Sequence, residues 1–342
     1  MTGRESVFSD PTIIQLASDQ FIPVAENSSA LERQQDDKGE FFRHVVEHGH
    51  YGGRTFPTAT RQGSYTFLPD GTFLASINSR DPEQMAGMMR EALARVERSD
   101  DLGEPSPVQL AETDVDADLY PADGLVLEAT VRDLPRPDGT PTDGKWNIDY
   151  VWLRRDEARS LVPETLEAGQ RREVPWPLVR RLARFHLRDY VRGEPFNWQE
   201  SAIRNSELTT EVVEVSGSKV RLALSGSVRL QDDVEWVAPE DGETKRSDCG
   251  FDCVIRGEAT WDVEREAFTA FDMVAAGDRW GTNQYNFRYD DLGPAPMGIA
   301  FGLAGSTPSE RTAPHCLRTW RAPEPRSDRP SRVSVGPDEY FG

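Results

Sequence analysis

Three of the five histidines of this 342-residue chain lie close together, in the string HVVEHGH. His44 and His48 are four residues apart at the end of a predicted helix, so both imidazoles face the same side, where one metal ion can bridge them. His50 follows in a loop that can bring it in as a third ligand. We therefore predict a divalent-metal site at His44, His48 and His50, with Glu47 on another side of the helix. The alternative is a helix end stabilised by imidazolium charge against the helix dipole.

A basic group lies on a long helix predicted over residues 176–191, in the string PWPLVRRLARFHLRDYVRG. Arg180, Arg184 and Arg188 are spaced by four residues, so they form a ladder on one face of that helix. Such a ladder can bind a carboxylate or a phosphate. The alternative is that the abundant acidic residues of the chain neutralise it.

Aromatic and amide side chains are crowded into residues 278–296, DRWGTNQYNFRYDDLGPAP. We predict that Trp280, Tyr285 and Arg288 bind a small polar ligand, because aromatic faces mixed with polar groups are typical of ligand pockets. An ordinary edge strand that leaves through a proline-rich segment has the same composition and is the alternative.

The three cysteines are Cys249, Cys253 and Cys316. Because their number is odd, at least one thiol has no intramolecular disulfide partner. We expect buried, unreactive thiols. A zinc site or a disulfide is the alternative if residues 249–253 form a loop, since on a straight strand the two sulfur atoms are too far apart.

The first hundred residues contain the elements that must position the histidines. Asp10 before Pro11, and Asp81 before Pro82, are typical helix N-caps. Gly39 predicts a break in the helix that leads to the histidines. The expected elements are a helix from Pro11, a buried central strand over 21–25, a helix over 28–47, a hairpin over 65–77 and a helix from Pro82.

This order, with the string FSDPTIIQLASDQFIPV, resembles the part of the thioredoxin-like family that follows the start of the redox helix. The resemblance covers residues 8–97 and implies an α/β fold. The redox site of the family would need a Cys-x-x-Cys pair upstream of Phe8 and a cis-proline where Gln62 stands. Since the first cysteine is Cys249, the resemblance implies a redox-inactive module without thiol-disulfide exchange. It also implies a sheet that lacks one strand, so a homo-oligomer in which a second chain completes the sheet is a further expectation.

Beyond residue 108 the chain alternates apolar and polar residues with a period of two, which predicts many antiparallel strands around the long helix. We expect an antiparallel β-barrel or sandwich. The predicted divisions are a thioredoxin-like domain over 1–100, a linker over 101–107, a β-rich domain over 108–305, and a Pro/Arg-rich tail over 306–342. We expect about the last twenty residues of this tail to be extended or disordered.

The formal net charge of −20, with a pI near 4.7, repels phosphate backbones and anionic lipid surfaces. We therefore expect no nucleic-acid partner and no membrane partner. The first residues lack the apolar run of a signal peptide. A soluble, cytoplasmic, acidic protein is expected, although a chain whose leader has been removed would look the same.

The expected function is non-catalytic. A redox-inactive thioredoxin-like module and a β-rich domain would together bind a protein partner or a small polar ligand. The sequence contains no Gly-rich phosphate loop and no nucleophile elbow. The alternative is a metal-binding protein or a metal-dependent enzyme that uses His44, His48 and His50.

Overall fold

The computed structural model describes residues 7–26, 28–31, 37–53, 61–79, 81–98, 119–142, 144–238, 241–306, 310, 313–316 and 335–341. These residues form two compact units, over 7–98 and 119–341. The linker expected over 101–107 lies outside the described residues. None of the described helices combines the length and the apolar character that a membrane span requires.

The first unit consists of helices and one antiparallel hairpin. Its elements are α1 (Pro11–Gln20), α2 (Ser28–Leu31), α3 (Asp37–Val46), β1 (Ser64–Phe67), β2 (Phe73–Ile77) and α4 (Pro82–Arg98). The N-cap expected at Asp10 is confirmed, because its Oδ1 accepts hydrogen bonds from the amides of Thr12 and Ile13, at 2.8 and 3.3 Å. The predicted hairpin is confirmed as well.

The core of the first unit lies between α4 and the hairpin. Met85, Met88 and Met89 share one face of α4 and are buried, as the helical spacing of the sequence predicts. They pack with Leu74 of β2 and Ile13 of α1. α3 packs against β1 of the hairpin, where the ring of Phe41 meets that of Phe67 edge-on at 5.4 Å.

The break predicted at Gly39 is wrong. Gly39 lies inside α3 and is buried, where a residue without a side chain permits close packing of the helix. The described helix that carries His44 spans Asp37–Val46 and therefore runs through Gly39.

Residues 21–26 form neither a helix nor a strand, which corrects the prediction of a buried central strand over 21–25. Phe21 packs against the core of the unit, whereas Ile22 is 91% exposed and Val24 is 72% exposed. A strand needs a neighbour for its backbone hydrogen bonds. The described sheet of this unit contains β1 and β2 alone.

The second unit is built on one antiparallel sheet of eight strands, in the order β4-β3-β10-β9-β8-β7-β6-β5. The strands are β3 (Leu125–Asp133), β4 (Trp146–Leu153), β5 (Arg171–Glu173), β6 (Ile203–Ser216), β7 (Lys219–Val237), β8 (Thr244–Asp262), β9 (Ala267–Trp280) and β10 (Ala295–Leu303). This confirms the mainly β character of the unit.

A single open sheet replaces the predicted barrel or sandwich, since within the described residues β4 and β5 are unpaired edges and no second large sheet is present. The apolar face of the sheet, with Leu127 and Ile255, is covered by the segment between β5 and β6. Leu178, Leu182 and Leu187 of that segment belong to the same apolar cluster. Helical residues thus supply the layer that a second sheet would supply in a sandwich.

The helix predicted over 176–191 is shorter than expected. α5 (Arg155–Ser160) precedes it, α6 spans Trp176–Arg181, and one π-helical turn follows over Leu182–His186. The Arg184 carbonyl, which a longer helix would use, instead accepts a hydrogen bond from the amide of Trp198 at 3.1 Å. The helical backbone ends at Leu187, whose φ of −90° and ψ of 64° lie outside the helical region.

Strand β4 is an edge of the large sheet. Some of its backbone amides form hydrogen bonds with side chains of β4 itself, and one forms a hydrogen bond with a side chain of a helix that is distant in sequence. Three alternate amides donate to side-chain oxygens: Ile148 to Asn147 Oδ1, Tyr150 to Asp149 Oδ1 and Trp152 to Tyr340 Oη. An edge strand whose amides are bound in this way does not act as a template for a further strand.

Tyr340 belongs to α7 (Pro337–Phe341), which corrects the expectation of an extended or disordered tail at these residues. Residues 317–334, on which the rest of that expectation falls, lie outside the described residues. Tyr340 is buried and packs with Phe185 and Trp152 in a second apolar cluster of this unit. Burial of this aromatic side chain gives the segment 335–341 a fixed place in the fold.

Candidate functional site

The side chains of His44, Glu47 and His48 converge at the C-terminal end of α3. Glu47 Oε1 lies 3.6 Å from His44 Nδ1 and 3.4 Å from His48 Nε2. One ligand atom from each residue can be chosen so that all three lie within 4.8 Å of one another. In a tetrahedral zinc site with bonds of about 2.0–2.1 Å, the ligand atoms are about 3.4 Å apart. The two distances from Glu47 are thus close to those of a zinc site.

The end of α3 holds this group at the surface. Val45 and Val46 are buried, so they fix this end of the helix on the first unit. The side chains of His44, Glu47 and His48 face outward, with exposures of 50%, 21% and 55%. Both imidazoles are therefore accessible to an ion in solution.

The structure changes two parts of the predicted ligand set. The prediction that Glu47 points elsewhere is wrong, because its carboxylate contacts both His44 and His48. His50 lies outside the group: its Nδ1 is 2.9 Å from Ser76 Oγ and its Nε2 is 3.3 Å from the Gln62 carbonyl oxygen. Its ring also stacks on that of Tyr65. Glu47 thus takes the place predicted for His50.

The group has the chemistry of a three-ligand cation site. Two nitrogen ligands and one carboxylate oxygen from His44, His48 and Glu47 leave one position of a tetrahedral ion for water or an external donor. Sites with three protein ligands bind an exchangeable fourth ligand, whereas closed structural sites use four.

The predicted arginine ladder does not form a ligand site. It requires a helix that continues to Arg188, and the π-helical turn ends at His186. Each arginine has partners within the chain: Arg180 donates to Glu200, Arg184 to Glu339 and the Trp198 carbonyl, and Arg188 to the carbonyls of Phe185 and Pro195. These arginines stabilise the fold of the second unit.

Arg288, predicted to bind a ligand, is fully buried between two carboxylates of its own chain. Its Nη1 and Nη2 donate to Asp133 at 2.8 and 2.7 Å, and its Nε and Nη2 donate to Asp189 at 2.8 and 2.9 Å. Burial disfavours the guanidinium charge, but Asp189 and Asp133 raise the pKa of Arg288 above its ordinary value. The guanidinium therefore joins β3 to the loop that follows β9.

Trp280 and Tyr285 contact partners other than Arg288. Trp280 Nε1 donates to Asp248 at 3.0 Å, and the Tyr285 ring packs edge-on against Phe196. The open groove beside Trp280 is lined by neither Tyr285 nor Arg288. Of the three residues predicted to bind a ligand, only Trp280 lines this groove.

The apolar face of the large sheet carries a cavity of about 50 Å³, lined by side chains that include Leu127, Val151 and Phe271. Such a volume has room for about one or two water molecules. It is too small for the small polar ligand that the sequence predicts.

A buried polar cluster that the sequence analysis missed joins β4 to α7. Tyr340 Oη accepts a hydrogen bond from the Trp152 amide at 3.0 Å and lies 3.1 Å from His186 Nε2. On the other side of the imidazole, Asp149 Oδ2 is 3.8 Å from His186 Nδ1. Asn147 and Asp149 occupy inward positions of β4, and polar residues at such positions were the available signal.

The charges in this cluster shift the pKa values of its members. Burial lowers the pKa of His186 below its ordinary value. Burial opposes ionisation of Asp149 as well, but the neighbouring His186, His315 and Arg188 lower the pKa of that carboxyl. The carboxylate also accepts the amides of Tyr150 and His315, at 2.8 and 2.7 Å. It is therefore a structural anion of the second unit.

The cysteines are buried and free, as expected. Cys249 and Cys253 lie on β8 rather than in a loop, so the alternative of a zinc site or a disulfide between them is wrong. Burial raises the pKa of each of these two thiols to about 12. They are therefore protonated at neutral pH.

Comparisons of the chain with protein-family models, with curated proteins and with solved structures find no match. What the protein binds must therefore be inferred from its own geometry.

Proposed function

We propose that this protein binds a divalent metal ion, with zinc as the ion that fits best, through His44, Glu47 and His48. The observation that carries the proposal is the position of Glu47 Oε1, 3.6 Å from His44 Nδ1 and 3.4 Å from His48 Nε2. Two imidazoles and one carboxylate are a ligand set that zinc accepts in proteins.

The donor atoms select the class of ion. Calcium and magnesium take oxygen ligands, whereas imidazole nitrogen suits zinc, copper and nickel. The group supplies nitrogen from His44 and His48 and oxygen from Glu47. Zinc, copper and nickel are therefore expected to bind, and magnesium and calcium are not.

We further propose that the first unit is a thioredoxin-like module without redox activity. The succession of α1, the β1–β2 hairpin and α4 supports this, and the first cysteine, Cys249, belongs to the other unit. The role is binding rather than catalysis. A partner molecule can supply the fourth ligand of an ion held by three surface residues.

The test is calorimetric titration of the untagged full chain with zinc. One ion per chain is expected, with a melting temperature that rises with zinc concentration by mass action. His48→Ala and Glu47→Gln are each expected to weaken binding by about tenfold or more, since each removes one ligand.

The matched control is His50→Ala. It removes a histidine two residues from His48 whose ring nitrogens lie against Ser76 and Gln62, so wild-type affinity is expected. An absence of zinc-dependent stabilisation in the wild type, or an equal loss of affinity in His50→Ala and His48→Ala, contradicts the proposal.

A further inference from the structure

Ser76 of β2 and His50, which follows α3, form a hydrogen-bonded pair outside the metal site. Ser76 Oγ lies 2.9 Å from His50 Nδ1 and accepts a hydrogen bond from the His50 backbone amide, also at 2.9 Å. On the other side of the ring, His50 Nε2 lies 3.3 Å from the Gln62 carbonyl oxygen. The imidazole is thus placed between a hydroxyl group and a backbone carbonyl.

These contacts fix the positions of the protons in the pair. A carbonyl oxygen can only accept a hydrogen bond, so the neutral His50 ring carries its hydrogen on Nε2 and donates it to Gln62. Nδ1 then offers a lone pair, and the Ser76 hydroxyl donates to it. A hydroxyl oxygen has two lone pairs, of which the His50 amide takes one. The other lone pair of Ser76 Oγ can attack an electrophile.

Packing holds the imidazole in this orientation. The His50 ring stacks on that of Tyr65, with 5.1 Å between the centroids and 25° between the planes. A side chain at Gly63 would begin 2.6 Å from His50 Cε1, and one at Gly49 would begin 2.5 Å from the Tyr65 ring. Only glycine permits such close approach. The ring is therefore held toward Ser76 before any reactant arrives.

The arrangement is the one that activates a serine. Nucleophile and base lie within hydrogen-bond distance, and a third group orients the base. Here the third group is the Gln62 carbonyl, where many hydrolases use a carboxylate. His50 is exposed and Ser76 is half-buried, so a reactant in solution can reach the pair.

We propose that Ser76 is a site of covalent modification, whose oxygen takes an acyl group from an uncharged ester with a good leaving group. Ser76 Oγ forms a bond to the acyl carbon, and the bond from that carbon to the leaving oxygen breaks. The hydroxyl proton passes to His50 Nδ1 and from there to the leaving oxygen. The products are acylated Ser76, neutral His50 and a free alcohol. This inference goes beyond metal binding and does not depend on it.

Charge favours an acyl donor over a phosphoryl donor. The chain has a net charge of −20, which repels phosphate compounds. Phosphoryl transfer also requires cations that bind the transferred group. Arg61, next to Gln62 in the sequence, is buried and donates to the Gly53 carbonyl at 2.9 Å. An uncharged ester requires no such cation.

The experiment treats the untagged full chain with p-nitrophenyl acetate in the presence of a chelator, and peptide mass spectrometry locates the acetyl groups. We expect one acetyl group on Ser76. The rate of its attachment is expected to fall about 10²-fold or more in His50→Gln, because assistance by a general base contributes about 10²–10⁴-fold. Glutamine keeps a polar side chain at this position but supplies no basic nitrogen.

The chain supplies two matched controls. Ser79 is half-buried, like Ser76, but its hydroxyl donates to Gln84 Oε1 at 3.1 Å. An amide oxygen is not a base, so Ser79 is expected to remain unmodified. His48→Ala removes a neighbouring imidazole that does not contact Ser76, so Ser76 is expected to react at the wild-type rate.

Two results each overturn the inference: equal rates of Ser76 acetylation in wild type and His50→Gln, or no more acetyl on Ser76 than on Ser79 in the wild type. The second comparison needs no variant, so it decides the matter even where His50→Gln fails to fold. Either result would reduce the pair to a contact that fastens residues 48–50 to β2.

Discussion

The two units differ in what their ionisable side chains contact. At the surface of the first, His44, Glu47 and His48 lie against one another with both imidazoles half exposed. In the second, Arg288 and His186 are fully buried among groups of the same chain. The exposed imidazoles and carboxylate of the first unit can replace bound water with a metal ion at little cost in free energy. A buried side chain of the second unit cannot leave its partner in this way, because the partner would remain buried with an unpaired charge. The spacing of residues in the sequence predicted ligand sites in both units. The burial of the side chains distinguishes the exposed group of the first unit from the buried residues of the second.

Arg288→Met is expected to have the largest effect. It leaves the carboxylates of Asp133 and Asp189 buried without their cation, which costs about 3–5 kcal/mol of the free energy of unfolding. Urea unfolding followed by tryptophan fluorescence measures the loss. The control is Arg246→Met, because Arg246 is exposed and lies 3.9 Å from Glu235; its loss is expected below about 1 kcal/mol. Similar losses in the two variants would remove the distinction between buried and exposed charges.

Tyr340→Phe is the next most damaging change. It removes the hydroxyl that binds the Trp152 amide and lies beside His186. A buried amide left unsatisfied costs about 1–3 kcal/mol, measurable by the same unfolding experiment. Tyr51→Phe, at the surface of the first unit, removes a hydroxyl bonded to Asn78 and is expected to change stability by less than about 0.5 kcal/mol. Equal stability of Tyr340→Phe and the wild type would contradict the importance of the buried cluster.

The third prediction concerns pH. Because burial lowers the pKa of His186 below 6.5, the unfolded chain binds a proton that the folded chain excludes. This group has no effect on stability well above pH 6.5. As the pH falls below that value, the free energy of unfolding decreases by up to about 1.4 kcal/mol per pH unit, until the pKa of the folded state is reached.

His186→Gln isolates this contribution, since glutamine does not titrate. The difference in unfolding free energy between wild type and His186→Gln, measured between about pH 5 and pH 8, is expected to depend on pH in that direction. A difference that stays constant across this interval would show that His186 is not held neutral by the fold.

The smallest effect is expected at the exposed group. His48→Ala without metal is expected to change the free energy of unfolding by less than about 0.5 kcal/mol, because the side chain is half exposed. Thermal unfolding in the presence of a chelator measures it. A loss above about 1 kcal/mol would mean that the imidazole stabilises the fold, as the buried residues do.

The sequence predicted correctly those elements that are determined by residues close together in the chain. The cap at Asp10, the β1–β2 hairpin and the methionine face of α4 depend on residues a few positions apart. Long-range partners explain the failures. The helix predicted over 176–191 ends early, at the turn where the Arg184 carbonyl pairs with the distant amide of Trp198. The strand predicted over 21–25 lacks a neighbour in the described sheet.

The candidate site was likewise predictable only where its residues lie close together in the sequence. His44 and His48 follow from i, i+4 spacing, and the i, i+3 relation to His44 was available for Glu47 but was not used. His50 could not be placed from sequence, because Ser76 of β2, which contacts its ring, is 26 residues away. The partners of Arg288 are more distant still, with Asp133 separated from it by 155 residues.

The hydroxyl that binds the edge of β4 has a consequence for synthesis of the chain. Tyr340 follows Trp152 by 188 residues, and ribosomes add about 5–20 residues per second. The β4 amide that Tyr340 binds therefore waits roughly 10–40 s for its acceptor after Trp152 is made. During that interval the amides of Ile148 and Tyr150 have acceptors on β4 itself, whereas the Trp152 amide is open to pairing with another strand.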